Sequence, residues 1–250
     1  MPKHLTSFLA LFVSLAALSA APAIAADGPI VITQAKANAG NVTPGDTPGF
    51  PVKLSRPGSY ILAGNLQPPA GKAGIQIASN NVTIDMNGFR LHGVGGATTG
   101  IYGAAFESAT IRNGTITGFA NHGIYGTGNN WSVEDMQVSG NGANGILVFG
   151  SYSSVRSSTV TENAGVGIVC AVSCLVAEST VSANGAEGIF LYSGTVLGNV
   201  IIGNTSFGIQ GVNQTGYGNN TLARNNGVAA NPQTAGVTAL HPNACDPACP

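Results

Sequence analysis

Charged side chains are scarce in this sequence, and several of them recur at a nearly fixed interval. Asp85, Arg112, Glu134 and Arg156 follow one another at steps of 27, 22 and 22 residues and alternate in sign, while Asp135 and Glu178 stand one position further along the same pattern. Carboxyl groups held about 5–9.5 Å apart can hydrolyse a glycosidic bond by acid–base chemistry. A guanidinium beside them can grip the acidic or polar groups of a sugar. Glu134 with Asp135 or Glu178 are therefore the candidate acid and base, and Arg112 and Arg156 the candidate grips on a polysaccharide. The competing reading is a ladder of surface ion pairs, each worth about 0–1 kcal/mol. It is the preferred one, because ion-pair networks produce the same clusters without any chemistry.

A second recurrence is aromatic. The residues that directly follow a repeated Gly-Ile pair are Gln76, Tyr102, Tyr125, Leu147, Val169, Phe190 and Gln210. Tyr102, Tyr125 and Phe190 can stack on the apolar faces of sugar rings, with burial under a cap or a partner as the alternative. Trp131, the only Trp, lies in a connection of variable length and either covers an edge of the fold or stacks on a sugar. Metal chemistry finds little support. His4, His92, His122 and His241 are dispersed, and Glu134-Asp135 is the one adjacent acidic pair, against the six to eight oxygen ligands that calcium takes. No cofactor is expected. Gly140, Gly142 and Gly145 match a dinucleotide-binding spacing, but no helix follows, and with 36 Gly in the chain chance suffices.

What positions these residues is a repeat. The Gly-Ile pairs begin at Gly74, Gly100, Gly123, Gly145, Gly167, Gly188 and Gly208. A second apolar series runs Ile84, Ile111, Val133, Val155, Val176, Val196 and Tyr217, and a third lies five residues beyond each, at Phe89, Ile116, Val138, Val160, Val181, Ile201 and Leu222. Three short Val-, Ile- and Thr-rich segments per unit, bounded by Gly, Asn and Ser, predict three strands and three turns. One unit cannot bury its apolar face alone. Stacked units can, each strand pairing with its counterparts about 4.8 Å away. The expectation is an all-β parallel solenoid of about seven coils over residues 74–226. A Pro/Gly-rich N-terminal cap over 26–73 and a C-terminal cap or tail over 227–250 flank it.

Five residues before the Gly-Ile isoleucine stand Asn141, Asn163, Asn184 and Asn204. Asn tolerates left-handed turn geometry, and its amide can bond along a stack. With this series and the three-strand repeat, the chain resembles the right-handed parallel β-helix proteins of the pectate-lyase-like superfamily. The resemblance implies that these Asn form a structural ladder in a tight turn. Lyases of that superfamily commonly use carboxylates for calcium with a basic proton acceptor, and its hydrolases a close group of Asp. Neither pattern is matched residue by residue here, so no catalytic residue is carried over.

Composition narrows the function classes. Only 19 of 250 residues are charged, the net charge is −1, and 44% are hydrophobic. Disorder requires the opposite balance, and a nucleic-acid binder needs clustered Lys and Arg. Lys3 and His4, the apolar run from Leu5 to Ala20, and Ala23-Ile24-Ala25 read as an export signal over 1–25, with the mature chain starting near Ala26. Export implies a periplasmic or extracellular, disulfide-permissive setting. Cys170/Cys174 and Cys245/Cys249 are two local pairs, read as disulfides in preference to zinc ligands. No later segment has the roughly 20 apolar residues of a membrane span. The expected function is contact with polysaccharide, along the Asp85 edge or the Tyr102/Tyr125 stripe. A polysaccharide lyase or glycoside hydrolase and a structural envelope protein are the alternatives.

Overall fold

A computed structural model of the protein describes residues 28–227 and 231–246. The expected export signal over residues 1–25 lies outside them. The described chain winds into an all-β parallel solenoid of about nine turns with almost no helix. Three stacks of strands run along it. The first contains the Gly-Ile strands, among them Val52–Leu54, Ile75–Ile77, Ile101–Gly103, Ile124–Gly126, Ile146–Val148, Ile168–Cys170 and Ile189–Leu191. The second includes Val82–Asp85, Ser154–Arg156, Cys174–Ala177 and Gly194–Leu197, and the third Arg90–His92, Thr159–Thr161, Thr180–Ser182, Val200–Ile202 and Thr221–Ala223. The longer strands Thr110–Thr117 and Ser132–Ser139 serve the second and third stacks in turn, because only a short bend separates these two faces.

Strand alternation decides what is inside. In the first stack Ile101, Ile124, Ile146, Ile168, Ile189 and Ile209 lie in register, one turn apart, and are fully buried. Each inward side chain thus packs on a near copy of itself. That arrangement suits β-branched residues, whose stiff side chains need no rearrangement from turn to turn.

The turns carry buried polar ladders. Asn141, Asn163, Asn184 and Asn204 are at most 2% exposed, and each Nδ2 donates to the next Oδ1 at 2.8–3.1 Å. The same Oδ1 also accepts the preceding Asn backbone N–H. The ladder continues to Asn225 and ends on Gln233, whose Oε1 accepts from Asn225. A second ladder, absent from the sequence reading, fills the bend between the second and third stacks through Ser158, Ser179, Asn199, Asn220 and Asn243.

Several expectations shift. The parallel stacking begins before residue 74, since Val52–Leu54 pairs with Ile75–Ile77 and Gly58–Leu62 with Val82–Asp85. It also passes residue 226, because Thr234–Ala239 and Ala244–Asp246 extend the stacks. Much of each expected cap is therefore coil, apart from a short helix, Gln34–Ala39, capped by the Thr33 hydroxyl. Leu91, not Phe89, takes that place in the third apolar series, bridging to Leu66 on the turn before and pairing with Ile116 on the turn after. Two extra residues in that bend leave Phe89 packed at the margin of the core. The connection from first to second stack absorbs most of the length variation. It takes nine residues from Ile146 to Val155, eight from Ile168 to Val176 and seven from Ile189 to Val196, while the strands stay in register.

Candidate functional site

The outward side chains of the first stack form one column: Lys53, Gln76, Tyr102, Tyr125, Leu147, Val169, Phe190 and Gln210. Tyr102 and Tyr125 are neighbours on consecutive turns, half-buried. Both sit in the segment Ile-Tyr-Gly, and the glycine has a purpose. A Cβ on Gly103 would lie 3.0 Å from the Trp131 ring, and one on Gly126 would lie 2.7 Å from it. The indole lies beneath the two tyrosine strands, 1% exposed, with Nε1 donating to the Phe106 carbonyl at 2.8 Å. Trp131 is thus corrected from a sugar-stacking candidate to a buried support. Its area is worth more in the core than outside, and its one polar atom is satisfied there.

Beside Tyr102 opens a cleft of about 410 Å³, lined by Pro51, Lys72, Thr98, Thr99 and Asn121 among others. Sequence reasoning missed most of these, although a signal existed. They stand in the two positions that precede Gly-Ile, and Lys72, Thr98, Asn121 and Ala143 form a column of backbone hydrogen bonds at 2.7–3.0 Å. A second cleft, of about 360 Å³, adjoins it and shares Lys72. Lys53 and Lys72 have no ion-pair partner among the described residues.

His122, set aside in the sequence as a metal ligand because the four His are dispersed, precedes Gly123 and stacks on Tyr125, with ring centroids 5.6 Å apart and planes at 19°. Its Nδ1 accepts the Asn144 backbone N–H at 3.3 Å. The neutral ring therefore carries its proton on Nε2. Burial holds its pKa below the ordinary histidine value, and burial likewise raises that of the Tyr102 phenol. Both groups are neutral hydrogen-bonding partners near pH 7. His92 is on the third stack, and among the described residues no group of three or more His, Cys, Asp or Glu converges.

The charged edge has the register expected of it, with Asp85, Arg112, Glu134 and Arg156 paired on successive turns. Only its first step closes. Arg112 donates from Nε and Nη2 to Asp85 Oδ2, both at 3.1 Å, and Asp85 Oδ1 accepts from the Asn87 backbone at 2.8 Å and from Asn113 at 3.3 Å. Asp85 is fully engaged in holding its own bend. Glu134 accepts from the Ser132 hydroxyl and closes no ion pair with either arginine. Asp135 and Glu178 stand exposed at the bend with φ of 52° and 55°, in the column that also holds Asn113, Ser157 and Gly198. Left-handed turn geometry places them there.

Residues 71–228 match a family model described as a right handed beta helix region. The chain belongs to the right-handed β-helix family. Among the solved structures similar to this β-helix protein are two A-modules. One is the A-module of Azotobacter vinelandii mannuronan C-5 epimerase AlgE4, at 16% identity over 83% of this chain and 70% of that one, with a TM-score of 0.53. The other is the AlgE6 A-module of the same organism, at 15% identity over 82% and 68%, with a TM-score of 0.46. At these identities the likeness is one of fold. A sequence search of curated proteins finds no match. No helix among the described residues is long and apolar enough to cross a membrane. Cys170 and Cys174 form a disulfide across the first-to-second connection, with Cα atoms 6.1 Å apart. Cys245 is not free, and Cys249 lies outside the described residues.

Proposed function

We propose that this protein is an exported β-helix that binds a polysaccharide chain against the outward face of its first stack, in the cleft beside Tyr102. The observation that carries the reading is the composition of that cleft. A half-buried tyrosine ring sits among Thr98, Thr99, Asn121 and the unpaired Lys72, and a second ring, Tyr125 under His122, lies one turn away. Sugar sites need an aromatic face for the C–H side of the ring and a few polar groups for its edge. Lys53, two turns from Tyr102 in the same column, adds a second cation and favours a carboxylate-bearing chain. The activity named for the AlgE4 module, on mannuronan, agrees with that choice. The charged Asp85 edge supports the reading less well, since its first carboxylate is consumed by structural hydrogen bonds.

A second reading, modification of the bound chain, is favoured by His122, a neutral imidazole with its proton on Nε2, stacked on Tyr125 one turn from Tyr102. One experiment separates the two. Purified protein is titrated with mannuronan, polygalacturonate and dextran, with binding followed by calorimetry and the glycan analysed for cleavage, unsaturation and altered stereochemistry. The expected result is binding of the acidic chains, weakened roughly tenfold by Tyr102→Ala, equivalent to about 1.4 kcal/mol, with the fold unchanged by circular dichroism. Products that vanish in His122→Gln establish the enzymatic reading. No binding to any glycan overturns both.

A further inference from the structure

Three turns beyond Tyr125 the same outward column meets a second set of rings. From Tyr125 it passes Leu147 and Val169 to Phe190. Phe190 packs edge-to-face on Tyr192, with centroids 5.3 Å apart and planes at 80°, and Tyr192 packs edge-to-face on Phe149 at 5.3 Å and 76°. These rings are not core. Phe149 is 48% exposed and Tyr192 36%.

Their meeting needs an explanation, because Phe149 and Tyr192 belong to turns that are not adjacent. Backbone hydrogen bonds place the intervening turn between them: Ala171 donates to Val148, and Tyr192 donates to Cys170. The residue there is Ala171, a single methyl, so the two rings close over it. That turn is the one tied by the Cys170–Cys174 disulfide. The connection also shortens by one residue per turn at this place. The cluster therefore coincides with two local features of the chain, the disulfide and the shortening connection.

We infer that Phe149, Phe190 and Tyr192 form a distal sugar subsite, so that a bound glycan lies along the solenoid axis from the Tyr102 cleft to this cluster. The inference rests on the polysaccharide reading above and adds the chain's direction and minimum length to it. Adjacent turns are about 4.8 Å apart, comparable to one pyranose residue, so an axial chain meets one outward side chain per sugar. Between the two aromatic ends the column is low, with Val169 only 7% exposed. Tyr102 and Phe190 are four turns apart in the column, roughly 19 Å. A di- or trisaccharide cannot touch both Tyr102 and Phe190, whereas a chain of about five or more residues can. Occupying both ends makes the second contact intramolecular and raises affinity without new chemistry at either site.

The test is a length series of mannuronan oligosaccharides, from two to eight residues, titrated against the native protein and against Phe149→Ala/Tyr192→Ala. Native affinity is expected to rise roughly tenfold or more between the trimer and the hexamer. The double substitution removes that increment and leaves dimer and trimer binding unchanged, while Tyr102→Ala weakens every length. Tyr192→Phe keeps the ring and retains the increment, which separates ring contact from a general loss of fold. Equal affinity for trimer and hexamer overturns the distal subsite while the Tyr102 cleft stands. So does an increment that survives the double substitution, or self-association of the native protein that the double substitution abolishes without affecting oligosaccharides. Absence of binding at every length overturns the cleft reading and the subsite together.

Discussion

At the scale of single residues, the chemistry of the outer face depends on what lies directly beneath it. Trp131 fills the space left by Gly103 and Gly126, so the tyrosine strands can approach only because those positions lack a Cβ. Trp131→Ala removes a fully buried indole, and large-to-Ala substitutions of buried aromatics cost about 3–5 kcal/mol. Denaturant unfolding is expected to show a loss of that size, and glycan binding at Tyr102 to weaken with it. A loss under about 1 kcal/mol sinks the account of Trp131 as a support. His122 gives a pH-dependent counterpart. Burial lowers its folded-state pKa below the ordinary value of 6.5. Below pH 6.5 the unfolded chain binds a proton that the folded ring resists, so this residue's contribution is present at neutral pH and is lost as pH falls from there through the folded pKa. Protonation of Nδ1 also breaks its bond with the Asn144 N–H. Melting temperature between pH 7.5 and 5 is expected to fall more steeply for the native protein than for His122→Gln. Parallel curves contradict the assignment.

At the scale of elements, the turns hold the strands in register through satisfied buried amides. Asn184 accepts the backbone N–H and the Nδ2 of Asn163, and its own Nδ2 donates to the Val160 carbonyl and to Asn204. Asn184→Ala strands the buried Asn163 backbone N–H and removes one bond each from Asn163 Nδ2, the Val160 carbonyl and Asn204 Oδ1. A stranded buried donor costs about 1–3 kcal/mol and each lost bond about 1 kcal/mol, so destabilisation of roughly 3 kcal/mol or more is expected in urea unfolding. Asn184→Asp does not rescue it, because a carboxylate accepts from Asn163 but cannot donate to Val160 or Asn204. The first ladder was legible in the sequence because one residue type recurs at one offset. The second was not, because it changes type midway, Ser158 and Ser179 giving way to Asn199, Asn220 and Asn243, and a hydroxyl and an amide oxygen serve as acceptor equally well. The same limit explains His122. Its partner, Tyr125, lies three residues on in sequence but beside it in space, because the bend before Gly123 turns the chain back along the strand face. Sign alternation along Asp85, Arg112, Glu134 and Arg156 was legible as register but not as bonding. Register fixes which Cα atoms are opposite, while closure of an ion pair depends on side-chain reach and on competing partners such as Ser132.

At the scale of the whole molecule, a solenoid has no single centre, and each turn is stabilised by its neighbours. Its ends are then its weak points, and the last amide of the first ladder must find a partner outside the asparagine series. Gln233 supplies it. Fully buried, it accepts from the backbone N–H and Nδ2 of Asn225 and donates to the Asn225 and Asn231 carbonyls, closing the Asn column against water. Gln233→Ala opens that end while touching nothing near the Tyr102 cleft. Because coupling passes only between adjacent turns, the effect decays along the axis. Hydrogen exchange is expected to accelerate most in Thr221–Ala223, less in Val200–Ile202, and not measurably in Ile75–Ile77. Glycan affinity at the Tyr102 end stays at its native value. A uniform rise in exchange across all three strands contradicts the nearest-neighbour account and means that the turns unfold as one cooperative unit. The Tyr102 cleft, near the N-terminal end, is then as exposed to damage at the far end as the cluster at Phe190. The site near Tyr102 and the devices that end the solenoid are separable only if stability is local.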